Sequence, residues 1–278
     1  MNRFVSYVRA DGTSSWGAVV DETIVDLAER TGAPSLAEAI AAGTLPEQIP
    51  AGEGVPFAEA QLLPVIPEPK KIICIGVNYK THRDEIGKPG PAAPIVFARY
   101  ADSQIAAGED AIKPSFSDQF DYEGELALII GAPAFRVKRE DAASVIAGYS
   151  IYNDFSVRDW QRAASQWMPG KTFPGTGGFG PWFVPADQLG DVTQLSLETR
   201  VNGEVRQSAS LADLVFDIPF LIEYVSTFTP LSPGDVIVTG TPGGVGLFME
   251  PSGLLNDGDV VEVEVSGIGV LRNTVREQ

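Results

Sequence analysis

Short apolar runs, separated by turn-forming residues, recur along most of the chain. The clearest are KIICIGV, ELALII, SLETRVNGEV, GDVIVTG and DVVEVEVSGIGVL. Such runs, rich in β-branched residues and bounded by Gly, Asn or Asp, predict strands. Two longer segments, residues 140–165 and 211–228, repeat apolar residues every three or four positions and predict helices. Because strands dominate and do not alternate with helices, the pattern predicts an α+β protein with a mixed, strongly curved sheet.

The first 68 residues predict a small unit that precedes a larger domain. FVSYV and WGAVV indicate strands on either side of the turn-rich ADGTSS, and PSLAEAIAAG indicates a short helix. The following LLPVIPEPKK carries three prolines in ten residues, which favour extended chain. We therefore expect a small N-terminal α/β domain over residues 1–68 and the main domain over residues 69–278.

Composition and charge limit the partners and the location of the protein. The chain of 278 residues has 37 acidic and 20 basic residues, and its net charge of −17 would repel nucleic acid and anionic lipid. No apolar stretch approaches the roughly 20 residues that cross a bilayer, and the first residues lack the apolar segment of a secretion signal. We therefore expect a cytoplasmic protein that binds neither nucleic acid nor membrane. The single cysteine, Cys74, lies in an apolar run and is expected to be buried and inert.

Two glutamates stand at the start of one predicted strand, in DYEGELALII (residues 121–130). Glu123 and Glu125 are two positions apart, so on a strand their side chains face the same way and can converge on one cation. The glycine between them is expected to leave the opposite face open. The alternative is a solvated strand edge, where such pairs are common.

Asp154 is a third candidate ligand, because an apolar segment ends there in Asn-Asp before a helix-like stretch. Three carboxylates with water completing the coordination shell suit Mg²⁺ or Mn²⁺, whereas zinc would favour a Cys/His cluster that the sequence lacks. A single aspartate at such a position can also be a helix N-cap. Together the three acids predict a Mg²⁺ or Mn²⁺ site.

The only histidine of the chain, His82, lies in GVNYKTHRDE with Glu85 three positions later. One helical turn would place both side chains on the same face, where the carboxylate could orient the imidazole as a general base that activates water. The following GKPGPAAP fits a short lid that orders when ligand arrives. The alternative is a surface histidine in an amphipathic turn.

Two glycine-rich segments do not predict nucleotide binding. GTGGFG (residues 175–180) neither follows a strand nor opens a helix, and GTPGGVG (residues 240–246) lacks the GK[ST] ending of a phosphate-binding loop. The second segment is interpreted as a tight turn whose backbone amides or Thr241 hydroxyl could meet a carboxylate.

Eight segments resemble, in order, the fumarylacetoacetate hydrolase family. They are GVNYKTHRDE, PIVFARY, DYEGELALIIG, GYSIYNDFSVRDWQ, GKTF, GPW, LSPGDVIVTGTPGGVG and GDVVEVEVSGIGVLRN. The match covers about residues 69–278. The resemblance implies a mixed β-roll fold for this catalytic domain, usually in a homodimer, and a bound Mg²⁺ or Mn²⁺ ion.

The resemblance also implies roles for nine residues of this sequence. The metal ligands would be Glu123, Glu125 and Asp154; the catalytic residues would be His82, Glu85 and Lys171; the substrate contacts would be Arg158, Gln161 and Thr241. Two departures bear on the shape of the substrate pocket: Pro174 stands where many relatives have an acidic residue, and GTPGGVG has a glycine where alanine is frequent.

These groups predict hydrolysis of a carbon–carbon bond in a small anionic 2-oxo acid, a 2,4-dioxo acid of the acylpyruvate type. The metal would polarise the 2-oxo group, His82 would activate water, and Lys171 would help to stabilise the departing enolate. Oxaloacetate-type decarboxylation, and the keto–enol or double-bond isomerisation found in aromatic compound catabolism, use the same enolate and remain alternatives. A cation-binding scaffold without turnover is the non-enzymatic alternative.

Overall fold

Strands outnumber helices in the computed structural model, which describes residues 1–49, 52–87 and 90–278. The strands, numbered in chain order, are β1 (Phe4–Val8), β2 (Ser14–Val20), β3 (Thr23–Asp26), β4 (Val55–Pro56), β5 (Gln61–Leu62), β6 (Ile72–Gly76), β7 (Ile95–Arg99), β8 (Gln104–Ile105), β9 (Asp110–Lys113), β10 (Phe120–Asp121), β11 (Gly124–Ile130), β12 (Ile146–Asp154), β13 (Ser156–Val157), β14 (Gly177–Pro185), β15 (Ser196–Val201), β16 (Glu204–Ser210), β17 (Val236–Val238), β18 (Val260–Val265) and β19 (Gly269–Glu277). The predicted α+β class is confirmed.

The α-helices are short. They are α1 (Ala28–Thr31), α2 (Leu36–Ala42), α3 (Lys80–Ile86), α4 (Arg158–Arg162), α5 (Ala186–Leu189) and α6 (Ile218–Phe228). Single turns of 3₁₀ helix, and one longer 3₁₀ segment, lie at Phe57–Glu59, Ala101–Ser103, Arg139–Val145, Met168–Gly170, Val192–Gln194, Leu211–Asp213 and Gly246–Phe248. Within the described ranges, no helix is long and apolar enough to span a membrane.

Two mixed sheets and a short ribbon contain the strands. The larger sheet has the order β4-β3-β2-β1-β14-β12-β11-β17-β6-β7, with β5 beside β1 and β8 beside β14. The smaller sheet has the order β16-β15-β18-β19-β9, and β10 pairs with β13. Most neighbours are antiparallel, but β17 with β6, β14 with β8 and β19 with β9 are parallel. The mixed sheet predicted from the sequence is therefore present.

Strand β11 lies in the middle of the larger sheet and is buried on both faces. Leu126 and Leu128 face a core shared with the smaller sheet and α6, whereas Ala127 and Ile129 face a second core shared with β1, β2 and α2. Because alternate residues of a strand face opposite sides, one continuous apolar run fills both cores. This burial fixes the register of the strand that begins between Glu123 and Glu125.

The helix predicted over residues 140–165 is wrong. The segment forms the 3₁₀ helix Arg139–Val145, then strand β12, and only then the short helix α4. Strand β12 pairs with β11 on one side and β14 on the other. Tyr149 and Ile151 are of the aromatic and β-branched types that pack well in a central strand, and this tertiary pairing overrides their helix-like spacing.

The helix predicted over residues 211–228 is confirmed only in its second part, α6. The side chain of Asp217 accepts a hydrogen bond from the Phe220 amide at 2.9 Å, which is the geometry of an N-cap. The helix therefore begins after Asp217, and Leu211–Asp213 forms a separate 3₁₀ turn.

The strands and the helix predicted in the first 68 residues are present as β1, β2 and α2. Ser35 caps the start of α2, and Gly43 follows its end in the left-handed conformation. Strand β1 pairs with β14, so these strands extend the larger sheet. The boundary at residue 68 stays a prediction.

Asp26 joins three strands of this N-terminal segment. Its carboxylate accepts hydrogen bonds from the hydroxyl groups of Tyr7 (2.6 Å) and Ser15 (2.7 Å) and pairs with Arg9 (2.9 Å). Burial raises the pKa of Asp26, but the hydrogen bonds from Arg9, Ser15 and Tyr7 outweigh burial and hold this pKa well below its usual range.

Candidate active site

The three acids proposed as metal ligands come from two neighbouring antiparallel strands. Glu123 and Glu125 flank the first residue of β11, Gly124, which pairs with Asn153 near the end of β12. Asp154 is the last residue of β12, and its amide donates to the Glu123 carbonyl at 2.9 Å. All three side chains are buried, and one carboxylate oxygen of each lies within 4.8 Å of the others. The structure therefore brings the three acids together, and the solvated strand edge considered for the glutamates is wrong.

The opposite face of β11 at Gly124 is filled, so the expectation of an open face is wrong. A side-chain carbon on Gly124 would lie 2.2 Å from Thr199 Oγ1 and 2.9 Å from Val263 Cγ1. Both residues belong to the smaller sheet. Glycine is required here because the two sheets approach each other closely at the start of β11.

Two buried cations hold the acids in place. The Lys171 ammonium donates to Glu123 Oε2 at 2.6 Å and to Asp154 Oδ2 at 2.7 Å. Arg99, at the end of β7, donates to Asp154 Oδ1 and, at 2.7 Å, to Thr176 Oγ1. Burial lowers the pKa of Lys171, but the charges of Asp154 and Glu123 outweigh burial and raise it, so the lysine is charged. Arg99 is not among the site residues predicted from the sequence.

Arg158, the first residue of α4, bridges Glu123 and Asp121 with its guanidinium group. Its Nη1 donates to Glu123 and to Gln161 Oε1 (2.9 Å), and its Nε donates to Asp121 Oδ2 (2.8 Å). Burial raises the pKa of Glu123, whereas the charges of Lys171 and Arg158 lower it to about 2. The Nη2 of Arg158 is buried without a hydrogen-bond partner in the part of the chain that the structure describes. This donor therefore has unused hydrogen-bonding capacity.

Among the described residues, Glu125 is the carboxylate of the cluster with the weakest compensation by a cation. Its Oε2 accepts the Gly240 N–H, and none of the described lysines or arginines forms an ion pair with it. Burial and the charges of Asp154 and Glu123 raise the pKa of Glu125 well above its usual range. Three convergent buried carboxylates, one of them without a cation, fit a hard divalent ion such as Mg²⁺ or Mn²⁺ in donor type and in charge.

His82 and Glu85 lie on one face of α3 and contact each other. His82 Nδ1 is 2.5 Å from Glu85 Oε1, and the other Glu85 oxygen accepts the Gly244 N–H at 2.9 Å. Gly244 belongs to the GTPGGVG turn, so this turn holds the carboxylate that orients the imidazole. The histidine is buried, which excludes the alternative of a surface histidine. Of the proposed lid GKPGPAAP, Lys88 and Pro89 lie outside the described residues.

Thr241 is held by hydrogen bonds within the chain. Its hydroxyl donates to the Gly124 carbonyl at 3.0 Å and accepts from Gln207 Nε2 at 2.8 Å. Gln207 Oε1 also accepts the Gly124 N–H at 3.0 Å. Gln207 thus ties the GTPGGVG turn to the start of β11, a role that the sequence analysis missed.

A cavity of about 270 Å³ opens beside these groups. Its polar side is lined by His82, Glu123, Arg158, Gln161 and Thr241. It therefore brings the proposed base, one proposed metal ligand and the three proposed substrate contacts to a single space. Glu125, Asp154 and Lys171 do not line this cavity. Lys171 contacts Glu123 directly, and one oxygen each of Glu125 and Asp154 lies within 4.8 Å of the Glu123 carboxylate. An arrangement of an oriented imidazole, clustered carboxylates and a spare guanidinium donor suits proton transfer on a small anion.

Comparison with known proteins finds a family match and close structural similarity. Residues 71–276 match the C-terminal domain of fumarylacetoacetate (FAA) hydrolase. The human mitochondrial oxaloacetate tautomerase FAHD2A is 39% identical over 238 residues, which are 85% of this chain and 75% of that protein. A fumarylacetoacetate hydrolase from Exiguobacterium antarcticum is 34% identical, with a TM-score of 0.87 over the whole of both chains. Maleylpyruvate hydrolase from Sphingobium sp. SYK-6, in complex with manganese(II) and pyruvate, is 28% identical, with a TM-score of 0.82 over 99% of both chains.

Proposed function

Because the chain belongs to the fumarylacetoacetate hydrolase family, we propose that it catalyses the keto–enol interconversion of a small 2-oxo acid of the oxaloacetate class. The observation that carries this proposal is the cavity that His82, oriented by Glu85, lines together with Glu123 and Arg158. The tautomerase activity in the name of the human relative, which is 39% identical, supports it.

We propose that Glu123, Glu125 and Asp154 hold Mg²⁺ or Mn²⁺. When bound, such an ion would act as a Lewis acid that stabilises negative charge on an enolate oxygen. The buried acid cluster supports this assignment, as does the manganese(II) ion in the related maleylpyruvate hydrolase.

The chain's own residues would bind the substrate and move its proton. The free Nη2 of Arg158 would bind a substrate carboxylate. The imidazole of His82 would take the proton from the carbon next to the oxo group, and the C2 oxygen would gain a proton, so that one C–H bond is exchanged for one O–H bond. Glu85 would stabilise the imidazolium formed in between, and the Lys171 charge would favour negative charge on oxygen.

Hydrolysis of an acylpyruvate is the second candidate function. The His82–Glu85 pair that would move a proton on carbon could equally activate water, and the similarity to maleylpyruvate hydrolase favours this reaction. Decarboxylation of oxaloacetate is distinguished from both because it releases CO₂. A scaffold that only binds a cation would give none of these products.

The test is a substrate panel assayed with Mg²⁺ and with Mn²⁺. Oxaloacetate and several acylpyruvates are supplied, and the enol absorbance, pyruvate and CO₂ are followed separately. We expect accelerated loss of the oxaloacetate enol without pyruvate or CO₂. Cleavage of an acylpyruvate at a higher kcat/KM than tautomerisation would identify the protein as a hydrolase instead. Absence of every reaction would favour the cation-binding scaffold.

The variant His82→Asn tests the role of the imidazole. Asparagine retains polarity but has no ring nitrogen to accept the proton, so we expect kcat to fall by about 10²- to 10⁴-fold. The surface variant Lys80→Gln, on the same helix but with a side chain 78% exposed, is the matched control and should keep the wild-type rate. A wild-type rate in His82→Asn would contradict the assigned role.

The homodimer also belongs to the proposal. Family membership supports it, and size-exclusion chromatography with light scattering measures it directly. A monomer at micromolar concentration would contradict this part alone, without bearing on the chemistry.

A further inference from the structure

The cavity beside the proposed catalytic residues also has an apolar wall. Ile86, Phe97, Trp167, Leu247 and Phe248 form this wall. A small 2-oxo acid carries its carboxylate and oxo group at one end, which suits the polar side. The apolar wall therefore limits the size of the substituent that the acid carries at its other end.

The indole of Trp167 packs directly against the backbone of Gly76 in this wall. A side-chain carbon on Gly76, the last residue of β6, would lie 2.2 Å from Trp167 Cζ3 and 2.9 Å from Cη2. On another side the indole contacts the ring of Phe97, with centroids 5.7 Å apart. Any residue larger than glycine at position 76 would therefore overlap with the indole.

The backbone that carries Trp167 is fixed by contacts with α4. Trp167 immediately precedes the 3₁₀ helix Met168–Gly170, and Lys171 follows that helix. A side-chain carbon on Gly170 would lie 2.2 Å from the backbone nitrogen of Gln161, so the segment packs closely on α4. The position of the indole is thereby coupled to the position of the Lys171 ammonium in the acid cluster.

We infer that Trp167 is a specificity-determining residue that sets the largest substituent a bound 2-oxo acid can carry. The indole has room in the cavity wall only because Gly76 carries no side chain. The inference rests on the proposed 2-oxo acid chemistry and narrows its substrate class to acids with a small substituent. Removal of the indole opens the cavity toward larger acids, and a methyl group at position 76 pushes the indole out of its place.

The test is isothermal titration calorimetry of the full-length, Mn²⁺-loaded protein with pyruvate and with phenylpyruvate, two 2-oxo acids that differ by one aromatic ring. In Trp167→Ala, the affinity for phenylpyruvate relative to pyruvate should rise about tenfold or more, the scale on which apolar pockets discriminate size. Trp160→Ala is the matched control, because Trp160 is 45% exposed and packs on Phe116 and Phe173 outside the cavity. The control should leave the affinity ratio unchanged.

A double-mutant cycle with Gly76→Ala separates the contact from a general loss of folding. Gly76→Ala alone should weaken binding of both acids, because the new methyl group collides with the indole. Gly76→Ala combined with Trp167→Ala should bind like Trp167→Ala, because the collision requires both side chains. Thermal unfolding of each variant reports whether the fold is intact.

Two results would overturn the inference: an unchanged affinity ratio in Trp167→Ala, or a double variant that binds as weakly as Gly76→Ala. Pyruvate binding without turnover of oxaloacetate or any acylpyruvate would overturn the proposed function, while the affinity ratios would still decide the role of Trp167. Failure of wild type and variants to bind either acid would overturn both.

Discussion

Glu125→Gln changes the one carboxylate of the cluster that forms no ion pair with a described lysine or arginine. One carboxylate oxygen of Glu125 lies within 4.8 Å of one oxygen each of Glu123 and Asp154. At that separation each like-charge pair repels by about 3 to 4 kcal/mol for an effective dielectric constant of about 20, and Lys171 offsets part of this repulsion. Burial and this repulsion raise the pKa of Glu125. A glutamine keeps the shape and the oxygen that accepts the Gly240 N–H, but it cannot carry the charge.

Without divalent metal, we therefore expect Glu125→Gln to be at least as stable as the wild type. Mn²⁺ at about a hundred times its Kd adds about 2.7 kcal/mol to the wild type. For a chain of about this size, that gain raises the unfolding temperature by about 5 to 11 °C. The variant, with one carboxylate fewer, should gain less than about 2 °C under the same conditions.

The assay is thermal unfolding of chelator-treated protein, repeated over a Mn²⁺ titration. Glu204→Gln is the matched control, because the Glu204 side chain is 69% exposed and should leave the full metal response intact. The electrostatic reasoning would be refuted by a metal-free Glu125→Gln protein that is less stable by more than about 1 kcal/mol. A variant that responds to Mn²⁺ as strongly as the wild type would refute the assignment of Glu125 as a ligand.

Three further predictions concern residues around the site and in the N-terminal strands. Arg99→Met removes one of two cationic partners of the buried Asp154 and should lower the free energy of unfolding of the metal-free protein by about 3 kcal/mol in urea; a loss below about 1 kcal/mol would contradict this. Because the folded-state pKa of Asp26 is depressed, its contribution to stability is present above its unfolded pKa of about 3.9 and is lost as the pH falls below that value. Asp26→Asn should therefore be less stable than the wild type at pH 7, with a deficit that shrinks in acid; a pH-independent deficit would argue against the pairing. Gly170→Ala places a methyl group 2.2 Å from the Gln161 nitrogen and should cost about 1 to 3 kcal/mol of stability together with turnover, and full activity would contradict the close packing.

The sequence predicts the acid pair better than it predicts the third acid. Glu123 and Glu125 share a strand, so the two-residue period alone places them on one face. The approach of Asp154 depends on the pairing of β11 with β12, which spacing along the chain does not encode. The same pairing explains why the helix predicted over residues 140–165 is wrong, because β12 satisfies its backbone in the centre of a sheet.

The residues that the sequence analysis missed act through contacts between distant segments. Arg99 and Asp154 are 55 positions apart, and Gln207 and Gly124 are 83 positions apart. Some signals were available: Arg99 is a charge that closes the apolar run IVFA, and Asp121 continues the alternation of Glu123 and Glu125. A buried charge requires a partner, but only the folded chain identifies it.

The division of the acid cluster between two paired strands has a consequence for how the chain can vary in length. Residues 131–145 connect the strands, and insertions at the exposed positions of this connection lengthen it without moving an acid. Deletion of one residue inside β11 or β12 instead reverses the direction of every side chain beyond it and turns a proposed metal ligand away from the other two. Changes of length in descendants of this chain are therefore expected at the exposed positions of the connection rather than inside either strand.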